Sequence, residues 1–265
     1  MQLAIQERLL LGNTTLARFQ QARSLELDGV EVSAEGLDER IPEILEALQA
    51  TNLRVSAVNV GHSRLLHAEF DEREHALVVI REAMTQAIDL EAQGVVFIPH
   101  YSTIAGLPDL HPYKSPAELE GQLLIAQLKA TLGDLAYALG TQLYMAVVSH
   151  HHAHLINRME QANRVLKANQ FHPHLKVCAT LCDMLVEEDD ALASLRTYSE
   201  IIEYVHIADT DRGLPSTGSV DFKAMIDALK DTGYTGWLTL ACDVDDATNA
   251  DLEQSVKHLR DCGVA

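Results

Sequence analysis

Several histidine and acidic side chains of this chain lie at or near the ends of short apolar runs, where a folded strand would end. They are Glu31, His62, His100, Asp183 and His206. Imidazoles and carboxylates bind divalent cations, and they also donate or accept protons in catalysis. Three histidines with one carboxylate are a reasonable ligand set for Zn2+, so His62, His100, Asp183 and His206 form a candidate metal site. The alternative is that His62 and His100 are polar pocket residues with hydrogen-bond partners.

Glu31 is the best candidate for a general base, because it lies near the end of the apolar run 29–32. The position suits equally well a residue that hydrogen-bonds substrate or supports the structure. Asp209 and Arg212 occupy the polar stretch that follows the apolar run 204–208. Both are candidates for substrate binding, and a salt bridge between them within that loop is the alternative.

Two further features have a chemical and a structural interpretation. The run His150–His152, with His154 nearby, looks like a metal site. Adjacent histidines point in different directions, however, so a solvated loop that binds metal adventitiously is the favoured interpretation. Cys182 shares a strand face with Thr180 by two-residue alternation, which would bring its thiol toward the strand end. A buried inert thiol is favoured, because no cationic residue is adjacent in sequence to lower its pKa.

The elements that would position these side chains alternate regularly between strand and helix. The apolar runs that predict strands are 3–5, 29–32, 53–58, 94–98, 142–148, 175–181, 204–208 and 237–240. Segments with helical spacing lie near 14–26, 38–51, 72–93, 116–140, 153–169, 189–202, 221–232 and 247–261. Continuous apolar strands indicate a parallel sheet that is buried on both faces. We therefore predict one (β/α)8 TIM-barrel domain over residues 1–265, with the site at the carboxyl ends of its strands.

Composition limits the partners of this domain. The formal net charge is −19, with 39 acidic against 20 basic residues. Without a basic cluster, nucleic acid and anionic membrane surfaces are poor partners. Four cysteines in 265 residues do not indicate a disulfide framework. Neither a signal peptide nor a bilayer-spanning run is visible, so we expect a cytoplasmic protein.

Three linked motifs near the carboxyl end resemble a known family. They are Glu-Tyr-Val-His-Ile-Ala-Asp at 203–209, Thr-Asp-Arg-Gly-Leu-Pro-Ser-Thr-Gly-Ser-Val-Asp-Phe at 210–222, and Gly-Tyr-Thr-Gly-Trp-Leu-Thr-Leu-Ala at 233–241. Their order and spacing resemble the last two βα units of the sugar isomerase/epimerase family with a xylose isomerase-like TIM barrel. The resemblance implies hydrogen transfer between adjacent carbons of a small polyhydroxylated ketone or aldehyde. It also implies a divalent cation (Mn2+, Mg2+ or Zn2+) and a possible homodimer.

The same resemblance implies four metal ligands at the ends of strands 5 to 8, two of which are glutamates that form the acid/base pair. Matched residue by residue, Ala146 and Ala241 stand at the two glutamate positions, and Thr180 stands at the aspartate position. His206 keeps the strand-7 ligand, and Arg212 keeps a loop arginine that family members turn toward substrate. Because methyl groups bind no cation, we expect metal binding to be weak or absent.

These observations lead to three hypotheses. The first is a sugar, sugar-acid or polyol isomerase/epimerase-like protein that has lost most of its metal and acid/base residues. The second is a non-catalytic polyol-binding barrel or partner subunit. The third, more remote, is a phosphodiesterase resembling endonuclease IV. The candidate catalytic residues are Glu31 and His206, and the candidate substrate-binding residues are His62, His100, Asp183, Asp209 and Arg212.

Overall fold

Strands and helices alternate along the chain as the sequence predicts. The structure is a computed structural model that describes residues 1–264. The strands are β1 (Gln2–Gln6), β2 (Gly29–Ser33), β3 (Arg54–His62), β4 (Gly94–Ile98), β5 (Gln142–Val147), β6 (Leu175–Thr180), β7 (Ile202–Ile207) and β8 (Trp237–Leu240). The helices are α1 (Thr15–Ser24), α2 (Leu37–Thr51), α3 (Phe70–Asp89), α4 (Pro116–Gln127), α5 (Asp134–Leu139), α6 (Met159–Ala168), α7 (Leu181–Glu187), α8 (Ala191–Thr197), α9 (Phe222–Asp231) and α10 (Asn249–Asp261).

The eight strands close into a parallel barrel. Each strand pairs with the next in sequence, and β1 pairs with β8. The strands are buried along most of their length, which explains their continuous apolar runs. The predicted (β/α)8 TIM barrel is confirmed. Closure places the carboxyl ends of all eight strands around one opening, where barrels of this type carry their sites.

Side chains fill the barrel interior below that opening. The interior cluster consists of Ala4, Ala57, Val96, Tyr144, Ala146, Cys178, Tyr204 and Trp237. The rings of Tyr144 and Tyr204 stack with centroids 5.2 Å apart. The Tyr204 hydroxyl makes hydrogen bonds with Ser56 (2.8 Å) and Thr239 (2.7 Å), so this buried phenol is fully paired. This packed layer is the floor on which the functional groups stand.

The segments after β5 and β6 differ from the sequence prediction. The helix expected to start at 153 begins only at Met159. The preceding loop is held by Asn157, whose amide donates to the carbonyls of Val148 (2.9 Å) and Ala153 (2.7 Å). The strand expected to reach 181 ends at Thr180, and α7 follows at once.

The helix expected over 116–140 is divided by a π-helical segment, Leu128–Gly133, between α4 and α5. The loop before α4 spans residues 99–115. Its Tyr101 lines the cavity described below. Among residues 1–264, none of the helices combines the length and hydropathy needed to cross a bilayer. All four cysteines are buried free thiols.

Candidate functional site

A cavity of about 880 Å3 opens at the carboxyl ends of the strands. Its volume lies within the range usual for small-molecule sites. Four lining residues are those at the metal-ligand positions of the family resemblance, namely Ala146, Thr180, His206 and Ala241. Strand register explains their meeting, since His206 is opposite Thr180 on β6 and Thr239 on β8. The cavity therefore contains all four positions at once.

Glu31 reaches from β2 to the imidazole on β7. Its Oε2 lies 2.7 Å from His206 Nε2, although the two residues are 175 positions apart in sequence. Its Oε1 accepts hydrogen bonds from the side-chain amides of Gln6 (2.8 Å) and Asn59 (2.6 Å). Glu31 is 1% exposed and His206 is 7% exposed. Both carboxylate oxygens are thus engaged by partners that come from three other strands.

These contacts keep the pair charged despite burial. Burial by itself would raise the pKa of Glu31, but the His206 charge and the hydrogen bonds from His206, Asn59 and Gln6 outweigh it, and the pKa lies below its ordinary value. Burial would lower the pKa of His206, but Cys178 and Glu31 beside it raise that pKa well above its ordinary value. The pair is accordingly an ionised carboxylate bound to an imidazolium.

Apart from His206, the four positions that hold metal ligands in the family offer few atoms that could bind a cation. Ala146 and Ala241 present only methyl groups. The Thr180 hydroxyl is buried, and within the described chain no hydrogen-bond partner reaches its Oγ1. A side-chain oxygen that is buried without a partner costs free energy, so this hydroxyl is available to a ligand that enters the cavity.

Arg212 crosses the cavity wall toward Asp183. Its terminal nitrogen donates to Asp183 Oδ2 at 2.5 Å, and its Nε lies 3.8 Å from Asp243 Oδ2. Asp211 and Arg212 both adopt left-handed backbone conformations, with φ of 54° and 57°. Such conformations are strained for residues other than glycine, and they persist only where contacts enforce them. The structure thus holds Arg212 in the cavity by a partly buried ion pair.

The arginine also organises a row of aromatic side chains. Its Nε donates to His152 Nε2 at 3.1 Å, and His152 Nδ1 is 2.9 Å from the Tyr101 hydroxyl oxygen. An imidazole that accepts at Nε2 carries its proton on Nδ1, so His152 donates to Tyr101. The Tyr101 ring stacks on His62 with centroids 3.5 Å apart. The Tyr101 hydroxyl proton therefore remains free to bond a ligand oxygen.

Burial lowers the pKa of two imidazoles in this row. It lowers the pKa of His62, and it lowers the pKa of His152, where the Arg212 charge adds to it. Burial raises the pKa of Asp183, although the Arg212 charge and hydrogen bond act against it. At neutral pH the row therefore presents neutral rings beside one ion pair.

Two candidate residues have other surroundings. Asp209 is 1% exposed and does not line the cavity. Its carboxylate accepts the backbone N–H groups of Thr210 (2.8 Å), Gly218 (3.0 Å) and Val220 (3.1 Å), so it shapes the loop after β7. Its suggested salt bridge with Arg212 is replaced by the Asp183 pair. His100 also lies outside the cavity lining and packs edge-on against His154, with ring centroids 4.9 Å apart.

The candidate zinc set of His62, His100, Asp183 and His206 is not brought together. Each member has a different neighbour, since His62 stacks on Tyr101, His100 packs against His154, Asp183 pairs with Arg212, and His206 pairs with Glu31. Throughout residues 1–264, His, Cys, Asp or Glu ligand atoms approach within 4.8 Å of one another in a group of three only at His100, Glu120 and His154.

Several side-chain contacts at the cavity were not anticipated from the sequence. Gln6 and Asn59 fix Glu31, while Tyr101 and His152 connect His62 to Arg212. Gln6 ends β1 and Asn59 lies within β3, so a search of all strand ends for amides as well as charged groups would have found Gln6. His152 lay in the histidine run that was interpreted as a solvated loop.

Comparison with known proteins agrees with this architecture. Residues 19–262 match the family model described as the xylose isomerase-like TIM barrel. The chain belongs to this family. A relative from Escherichia coli K12, 3-dehydro-D-guloside 4-epimerase, is 24% identical over 240 residues, which are 90% of each chain. A ketose 3-epimerase from Arthrobacter globiformis is 33% identical over 127 residues, or 47% of this chain and 43% of the relative.

Solved structures of other proteins superpose on this barrel over nearly its whole length. The apo form of 3-keto-D-glucoside 4-epimerase from E. coli superposes with a TM-score of 0.89 at 23% identity, and covers 99% of this chain and 100% of that one. A D-psicose 3-epimerase structure obtained with D-fructose has a TM-score of 0.83 at 16% identity, over 98% and 97% of the two chains. Both structures are of proteins named as sugar epimerases, and their likeness to this chain shows that it has the same fold.

Proposed function

We propose that this barrel binds a small polyhydroxylated sugar or sugar acid in the strand-end cavity, and that it does so without the divalent cation implied by the family resemblance. The proposal is supported by a cavity of about 880 Å3 whose wall offers the Tyr101 hydroxyl, the Thr180 hydroxyl and the Arg212 guanidinium. Such groups bind the hydroxyl and carboxylate oxygens of a polyol. The names of the sugar epimerases similar to this chain point to the same class of ligand.

The observation that carries the second part is the direct bond between Glu31 and His206. Mn2+ and Mg2+ prefer several anionic oxygens, and Zn2+ prefers three or four nitrogen, sulfur or oxygen ligands. At the four family positions, His206 is the one side chain with a strong ligand atom, and its Nε2 is 2.7 Å from the Glu31 carboxylate. Because Glu31 already has three hydrogen-bond donors, we infer that this ion pair takes the place of a cation.

The same arrangement bears on turnover. Removal of a carbon-bound proton needs a base whose pKa is near the working pH, and an electrophile that stabilises the enolate. The low pKa of Glu31 makes it a weak base, and Ala146 and Ala241 supply none. We therefore propose a binding protein rather than an epimerase of the usual family mechanism. A metal-independent epimerase is the second candidate, because the pair faces the cavity: Glu31 would remove the proton from the substrate carbon, and a proton would be returned to that carbon from the Glu31–His206 pair.

Measurement of metal content tests the proposal that the cavity holds no divalent cation. The purified chain, stripped with a chelator and then given excess Mn2+ or Mg2+, is expected to retain far less than one ion per chain after desalting. Changing Ala146→Glu, Thr180→Asp and Ala241→Glu together should restore cation binding, because it returns three oxygen ligands to the cavity. Tight stoichiometric Mn2+ or Mg2+ in the unchanged chain, lost in His206→Asn, would overturn the metal-free assignment of the cavity.

Ligand-observed NMR tests binding with ketohexoses and 3-keto-glycosides as probes. Arg212→Ala should weaken binding, whereas Arg164→Ala should not, because Arg164 pairs with Glu160 on the outer surface of α6. Absence of binding to every probe would refute a sugar-binding role. In D2O, solvent deuterium should not enter the probe. Deuterium at the carbon next to the carbonyl, lost in Glu31→Gln, would instead support the second candidate.

The remaining expectations about partners belong to the same proposal. We infer a small-molecule ligand rather than nucleic acid or a membrane, on the basis of the net charge of −19. A cytoplasmic location and a homodimer are likewise proposed from composition and family resemblance. Analytical ultracentrifugation at micromolar concentration measures the oligomeric state, and a purely monomeric species would contradict the proposed homodimer.

A further inference from the structure

A second group of ligand-type side chains lies outside the sugar cavity. His100 follows β4, Glu120 is on α4, and His154 is in the loop between β5 and α6. One nitrogen or oxygen atom from each lies within 4.8 Å of the others. None of the three lines the cavity. Glu120 is completely buried, which is costly for a carboxylate that lacks a cationic or protonated partner.

Two of the three side chains are fixed by contacts on their far side. Glu120 Oε1 accepts the backbone N–H groups of Gly106 (2.7 Å) and Leu107 (3.2 Å), which leaves Oε2 facing the cluster. His154 Nδ1 is 3.0 Å from the carbonyl oxygen of Ser102 and therefore carries a proton. Its Nε2 then contacts Glu120 Oε2. Metal-bound histidines are typically held in this way, with the other ring nitrogen donating to a backbone carbonyl.

An imidazole nitrogen and a carboxylate oxygen can face each other only with a proton or a metal ion between them. The neighbouring ring of His100 adds a third ligand whose own Nε2 has just a 3.4 Å contact with the carbonyl of Ile104. We propose that His100, Glu120 and His154 bind one Zn2+ ion, with water as the fourth ligand. Two imidazoles, one carboxylate and a water molecule are a usual zinc coordination set.

The proposed ion would organise the wall of the sugar cavity. It would join three segments that are distant in sequence, namely the loop 99–115, helix α4 and the loop 148–158. Tyr101 lies next to His100, and His152 lies two residues before His154. The ion would therefore hold the tyrosine and histidine that connect His62 to Arg212. Its role would be structural, and it does not depend on which ligand the cavity binds.

Zinc titration of the chelator-treated full chain tests the proposal. Calorimetry and elemental analysis should give one Zn2+ per chain, accompanied by a higher melting temperature. Glu120→Gln keeps an oxygen for Gly106 and Leu107 but removes the ligand oxygen. The double variant Glu120→Gln, His154→Asn should bind zinc more weakly than the unchanged chain. The loss of affinity should exceed the roughly 10- to 100-fold that follows loss of a hydrogen bond to a metal ligand. Co2+ in place of zinc should give the visible absorption of a tetrahedral site.

Control variants separate this site from other histidines. His151→Asn alters an exposed histidine of the run 150–152 and should bind zinc normally. His206→Asn should also bind zinc normally, because His206 lies in the sugar cavity. Zinc that is lost in His206→Asn but retained in His154→Asn would overturn the proposal and would place the ion in the cavity. The His100→Asn variant is treated with chelator, and circular dichroism checks that it is folded. If it then binds zinc with the same affinity and stoichiometry as the unchanged chain, the proposal also fails. Absence of stoichiometric zinc in the unchanged chain would refute the proposal.

Discussion

Replacing Glu31 by glutamine tests the ion pair at the centre of the cavity. Glutamine has the same shape and retains one oxygen, which can accept from Gln6 and Asn59, but it carries no charge. His206 would then be a buried imidazole without a counterion. Burial lowers an imidazole pKa, and in the variant the Glu31 charge and hydrogen bond no longer oppose it, so we expect the pKa of His206 to fall.

The loss of stability follows from burial of both partners. Removing one member of a buried ion pair costs about 3–5 kcal/mol. We expect the lower end, about 3 kcal/mol, because glutamine keeps the amide contacts and His206 becomes neutral. Each kcal/mol lowers the melting temperature of a chain of this size by about 2–4 °C. Glu31→Gln should therefore melt about 6–12 °C below the unchanged protein.

The effect should depend on pH with a defined sign. The pKa of Glu31 is lowered in the folded protein, so its contribution is present above pH 4.5, the ordinary value, and disappears as pH falls through the lowered pKa. The pKa of His206 is raised, so its contribution is complete below pH 6.5 and disappears as pH rises through the raised pKa. The stability difference between protein and variant should therefore be largest between pH 4.5 and 6.5.

Two measurements check this. Calorimetric melting across pH 4 to 9 gives the stability difference, with Glu35→Gln as the control because Glu35 is an exposed carboxylate in the loop after β2. Imidazole proton NMR gives the pKa of His206, assigned by comparison with His206→Asn. A Glu31→Gln protein that melts within 2 °C of the unchanged chain at pH 6, with the His206 pKa unmoved, would refute the ion pair.

Three other perturbations have defined outcomes. Asp209→Ala removes the acceptor of three backbone N–H groups, so the loop 210–220 should be cleaved faster by a protease and stability should fall by about 3 kcal/mol; unchanged cleavage would contradict its role in the loop. Burial raises the pKa of Cys182 and of Cys242 to about 12, so iodoacetamide at pH 8 should leave both unmodified in native protein and modify both in guanidinium, as read by mass spectrometry. Tyr101→Phe removes the free hydroxyl and should reduce sugar affinity about 3- to 10-fold in NMR titration, with Tyr137→Phe, an exposed tyrosine on α5, as the unaffected control.

The fold could be predicted from the sequence because its signals are local. Continuous apolar runs of strand length recur between segments with helical spacing, and eight such repeats suffice to close a barrel. The carboxyl ends of those runs indicated which residues would surround the opening. Positions 146, 180, 206 and 241 therefore meet in one cavity. The short helix α7 and the late start of α6 were missed, because they depend on how loops pack rather than on local periodicity.

Partner choice among the side chains was decided by the tertiary structure. The sequence identified Glu31, His206, Asp183 and Arg212 as chemically capable, but it did not indicate that the first two bond each other across the barrel. Nor did it indicate that His100 lies with Glu120 and His154 rather than with His62. Such pairings depend on the direction of each side chain at the barrel opening and on the path of loops that join distant parts of the chain. The sequence determined which chemically capable groups lie near strand ends, and closure of the barrel decided which of them line the cavity and which of them touch.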